Sequence, residues 1–121
     1  MSNDFINEEL KVTSDLNFEL ENFTKTLYKE ARPDLVHDSV AALGTIKTLL
    51  QNLGIYLRQG MPNNTGSIEH LKQQLNLAKE RREVVLGSLL NPSLAKTTAT
   101  SLIGGSIAAA QRILKRAEEN L

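Results

Sequence analysis

The chain has 121 residues, enough for one domain around a single core and too few for two. Its 14 basic and 14 acidic side chains cancel, which argues against a partner recognised by bulk charge, whether nucleic acid or an anionic membrane. With no cysteine there is no disulfide or thiolate chemistry, and with only Phe5, Phe18, Phe23, Tyr28 and Tyr56 as aromatic residues the core must be built from Leu, Ile, Val and Ala.

Residues 1 to 13 are mixed in polarity, and Phe5, Ile6 and Leu10 predict an N-terminal arm or short helix ahead of a single helical domain at 14–121. Ser14 reads as a helix cap. Leu16, Leu20, Phe23 and Leu27 then return at intervals of four, three and four, which places them on one face of a helix over 14–30. Glu21 and Lys25 have the spacing of an exposed pair on that helix.

Arg32-Pro33-Asp34 marks a boundary, because proline restricts the residue before it and fits a first helical turn. A helix over 34–59 follows, with Leu35, Val36, Val40, Leu43, Ile46, Leu50, Leu53 and Leu57 on one broad face. A stripe this wide predicts contact with more than one neighbouring helix. Gly44 and Gly54 weaken the segment and are expected where another backbone comes close. Gly60 and Pro62 end it.

Ser67 reads as the cap of a third helix over 67–90, in which Ile68, Leu71, Leu75, Ala78, Val85 and Leu89 follow a three-four repeat broken by Arg82. Asn91-Pro92 repeats the boundary pattern and opens a last segment over 92–119. Residues 97 to 111 carry no charge and contain Gly104-Gly105. Two outcomes follow from that composition: a continuous helix packed closely through Ala99, Leu102, Ser106, Ala109 and Ile113, or a break at the glycine pair. The hydroxyls of Thr97, Thr98, Thr100, Ser101 and Ser106 make the stretch too polar for a bilayer.

The predicted fold is therefore all-α, a small antiparallel bundle of three to four helices with the last either continuous or broken at Gly104-Gly105. Charge is unevenly placed within it. Residues 1 to 30 hold seven acids and three bases, and residues 92 to 121 hold four bases and two acids, so opposite ends of the chain attract, within one molecule or between copies.

Signals for chemistry are weak. His37, beside Asp34 and Asp38, has neither a third catalytic partner nor a third metal ligand in sequence, and His70 has no better setting. Glu8-Glu9 and Glu118-Glu119 are adjacent pairs that point about 100 degrees apart on a helix and cannot grip one atom. Gly104-Gly105-Ser106 lacks the glycine pattern and Lys-Ser/Thr of a nucleotide loop. No catalytic residue, metal or cofactor is expected.

The expected function is a non-enzymatic helical adaptor or assembly protein that binds another protein or its own copies, with no membrane role. Its interface candidates are Leu50, Leu53, Leu57, Leu71, Leu75, Arg82 and Leu89, Arg82 being the one charge in an apolar seam. The alternative is a nucleic-acid-associated regulator using Lys79, Arg81, Arg82, Arg112, Lys115 and Arg116 on phosphates. Met1-Ser2-Asn3-Asp4 lacks the basic flank and apolar run of a secretion signal, which predicts a cytoplasmic setting.

Overall fold

In the computed structural model, which describes residues 3–121, four α-helices form: α1 (Asn3–Glu30), α2 (Val36–Arg58), α3 (Thr65–Gly87) and α4 (Leu94–Glu119). A 3-10 turn, Pro33–Leu35, leads into α2. Short connections reverse the chain each time, so α1 packs on α2, α2 on α3, α3 on α4, and α4 closes the ring on α1. Across the diagonals α2 approaches α4, while α1 and α3 do not meet. The predicted antiparallel bundle is what the chain forms, with four helices.

The first helix begins at Asn3 and runs unbroken past Ser14, where the sequence predicted a separate arm or short helix over residues 1 to 13; residues 1 and 2 of that segment lie outside the described residues. The reason is a stripe whose middle is polar. Ile6, Leu10, Leu16, Leu20, Phe23 and Leu27 all face the core, and the turns between Leu10 and Leu16 are completed by buried Glu9 and Thr13. Thr13 donates its hydroxyl to the Leu10 carbonyl at 3.1 Å and Glu9 meets a cation from α4, so neither polar group interrupts burial. Ser14 is an exposed mid-helix residue rather than a cap. Glu21 pairs across to Lys47 on α2 and not with Lys25.

The C-terminus of α2 carries a Schellman arrangement. Gly60, with φ of 91°, donates to Leu57, and Met61 donates to Tyr56 at 2.8 Å, which satisfies carbonyls the helix leaves open. Met61 is then buried against the core. α3 starts one turn earlier than predicted. Asn64 is its cap and accepts from the Ser67 amide at 2.8 Å, while the Ser67 hydroxyl faces back to the Asn64 amide; Ser67 is thus the third residue of a capping box.

At the other end of α3 the helix stops at Gly87. The Arg32 amide donates to the Ser88 carbonyl at 2.8 Å and the Arg32 guanidinium to the Gly87 carbonyl at 2.7 Å, so the α1–α2 corner caps α3. Pro92 lies in the connection after α3 and not inside a helix. Ser93 caps α4 by accepting from the Lys96 amide at 3.0 Å.

α4 is continuous through Gly104-Gly105, and the alternative of a break there is not what forms. Ala95, Ala99, Ser106, Ala109, Ala110 and Ala117 are buried along it, so its core face is made of small side chains that bring neighbouring backbones close. The Ser106 hydroxyl is spent on the Leu102 carbonyl at 2.8 Å. A Cβ at Gly105 would rest 3.5 Å from Leu16, an ordinary contact, and one at Gly104 or Gly44 would meet nothing within 4 Å. No backbone needs these glycines, contrary to the expectation for Gly44. Gly104→Ala and Gly44→Ala are each expected to stabilise the fold by about 0.5–1 kcal/mol, read as a raised denaturation midpoint at unchanged slope.

Candidate protein interface

The leucines expected to serve an interface are covered by the chain itself. Leu50, Leu53, Leu57, Leu71, Leu75 and Leu89 all belong to one continuous core shared by the four helices. A width of stripe that suggested surplus surface is consumed because α2 has three helical neighbours, α1, α3 and α4. These six side chains hold the bundle together and cannot meet a partner unless it opens. Arg82 is partly exposed, and it pairs with the adjacent Glu83 at 3.5 Å, with no cross-helix pair to α1 among the described residues.

The apolar side chains left outside are different ones. Leu90 and Leu94, 69% and 82% exposed, flank the α3–α4 corner, and Tyr28, 60% exposed, lies in the last turns of α1 at the same end of the bundle. Phe18 and Ile55 stand out from α1 and α2, and Leu77 and Val84 line the α2–α3 groove. The chain leaves α3 at Gly87 and enters α4 only at Leu94, so these two leucines, although four residues apart in sequence, do not share one continuous helix face. Sequence reasoning placed Leu90 on the third helix for want of that stop. Gly87-Ser88 was the available signal.

The basic residues fall into two groups. Arg112, Lys115 and Arg116 surround a shallow hollow with Phe5 and Glu119, where α4 lies on the start of α1. Arg112 is committed to Glu9 through two bonds, Nε to Oε2 at 2.6 Å and a terminal nitrogen to Oε1 at 2.9 Å, and Arg116 lies 4.2 Å above the Phe5 ring. Hydrogen bonding to Glu9 raises the Arg112 pKa above the ordinary arginine value, against desolvation, so the charge persists through any physiological range. Lys79, Arg81 and Arg82 sit on α3 apart from that hollow, with Arg81 lining the α2–α3 groove beside Asp38. The predicted attraction between an acidic start and a basic finish is thus realised inside one chain.

On the same end Lys72 reaches Glu118 at 3.1 Å and Glu69 at 3.7 Å. The hydrogen bond and charge of Glu118 raise the Lys72 pKa, so the ammonium stays charged at neutral pH and its contribution to this tie is lost as alkaline conditions discharge it. His70 shares a 2.9 Å hydrogen bond with the Tyr56 hydroxyl across α2 and α3, and His37 is exposed. Among the described residues no group of three or more His, Asp or Glu side chains is placed to hold a metal ion, and no helix is long and apolar enough to cross a membrane.

No protein-family model, no curated protein and no solved structure matches this chain.

Proposed function

We propose that the chain is a non-enzymatic helical interaction module, acting through protein–protein contact, with a second copy of itself as the first partner and the cytoplasm as its compartment. The observation that carries this reading is the pair Leu90 and Leu94, large aliphatic side chains 69% and 82% exposed at one corner of the bundle, where most other leucines are buried or packed against the core. Apolar side chains clustered on an otherwise polar surface favour association, since covering them removes area from water at about 25 cal/mol per Å². The corner is tied at both of its ends. Arg32 fixes the end of α3 and Ser93 fixes the start of α4, so the two leucines are presented without a large ordering cost.

The pairing of Arg112 with Glu9 and of Arg116 with Phe5 gives the nucleic-acid alternative less to work with, because those cations are already engaged. Sedimentation equilibrium of the wild type and of Leu90→Ser/Leu94→Ser tests the proposal. A wild-type mass above that of one chain, falling to one chain in the variant with a melting temperature unchanged, is the expected result. A wild type that stays monomeric at high concentration, or a variant that associates as the wild type does, overturns it.

A further inference from the structure

Leu90 and Leu94 alone supply well under half of the about 800 Å² that each partner covers in a stable complex, so self-association through that corner needs a larger surface beside it. The α2–α3 groove reaches the same end of the bundle, because Val84, which lines it, stands in the last turn of α3. It runs as two hollows of about 400 and 230 Å³ that share Thr45.

Its two walls differ in size. On α3, Leu77 and Val84 stand seven residues apart on one face, 37% and 38% exposed, and are the large apolar side chains of that helix most open to solvent. On α2 the facing positions are Ala41, Thr45 and Thr48, small side chains four and three residues apart. The two threonines donate their hydroxyls to the Ala41 and Gly44 carbonyls of their own helix, so this wall is less polar than its composition. The charged side chains of the groove are Asp38 on the α2 wall and Arg81 on the α3 wall; both line the wider hollow, and no ion pair joins them within the chain.

We propose that a second copy of the chain docks in the α2–α3 groove about a two-fold axis parallel to the helices. The inference rests on the self-association proposed above and names the surface that completes the contact begun at the Leu90–Leu94 corner. Such an axis sets α2 of each copy against α3 of the other at equal height. Leu77 and Val84 of one copy then meet the small wall of the other, and Asp38 of one meets Arg81 of the other, each contact occurring twice. The charges select this axis. A two-fold perpendicular to the helices at the middle of the groove would instead lay the Asp38–Arg81 end of one copy on the uncharged Thr48–Leu77 end of the other, covering both charges without opposite partners.

Sedimentation equilibrium of the full chain tests the contact with two charge reversals. Asp38→Arg sets arginine against arginine across the axis, and Arg81→Asp sets aspartate against aspartate. Each variant alone is expected to associate at least about tenfold more weakly than the wild type, at full helical signal in far-ultraviolet circular dichroism because neither side chain is buried. An equal mixture of the two variants is expected to recover the mass of two chains, since every contact between unlike copies then joins an arginine to an aspartate. That recovery cannot arise within one chain, where the like charges remain. Variants that each associate as the wild type does, or a mixture no heavier than its separate components, overturns the groove contact and leaves association through the corner standing. A wild type that stays monomeric removes the self-association reading and this inference together.

Discussion

Leu50→Asp and Leu75→Asp are each expected to abolish the folded state, giving loss of the cooperative melt and of most helical signal. Both side chains are buried, 2% and 5% exposed, in the core common to all four helices. Each substitution removes leucine burial worth several kcal/mol and forces a carboxylate toward a site with no cation; about 5 kcal/mol or more is lost, comparable to the whole stability of a small domain. Far-ultraviolet circular dichroism and a denaturant titration read this directly. Retention of a native melt in either variant would mean the core is not where these helices place it. The contrast with Leu90→Ser/Leu94→Ser carries the functional argument. Buried leucines govern folding, exposed ones govern association, and the two effects should separate cleanly.

That separation was not visible in the sequence, where all the leucines return at the same three-four spacing. Periodicity identifies which residues share a helix face, and it correctly placed Leu43, Ile46, Leu50, Leu53 and Leu57 together. It does not say how many helices that face will meet. α2 contacts every other helix of the bundle, so its whole stripe is consumed, and a face broad enough to suggest an outer partner turns out to have only inner ones. Leu90 escapes burial for a local reason, the helix stop at Gly87, whose cap comes from Arg32, 55 residues away in sequence. Long-range capping of that kind leaves no periodic trace.

The start of α1 was misread for a related reason. Glu9 and Thr13 occupy core positions, and a carboxylate in a core position looks like the end of an amphipathic pattern. Its partner, Arg112, lies 103 residues further on. Capping residues were more legible, since Ser67, Pro62 and Gly60 all act at helix boundaries, although Ser67 does so as the reciprocal partner of Asn64.

The Glu9–Arg112 pair permits the sharpest energetic test of the closed ring. The Glu9 side chain is 7% exposed and the Arg112 side chain 46%, so the carboxylate is the member that depends on its partner. Arg112→Ala leaves it stranded, and a loss of about 2 kcal/mol is expected, less than for a fully buried pair because solvent reaches the vacated position. The pair joins α1 to α4, the contact that closes the bundle, so exchange of α1 amides near Glu9 should accelerate together with the loss of global stability. Glu9→Leu combined with Arg112→Met removes both charges and fills the gap with apolar volume beside Leu10 and Phe5; the double variant should recover most of what Arg112→Ala loses. Measured as denaturant midpoints, the single and double variants distinguish two origins of the pairing. If the double variant is as weak as Arg112→Ala, the ion pair supplies net stability of its own. If it recovers, the arginine is there because α1 carries an acid in a core position, and the acid rather than the pair is what remains to be explained by function.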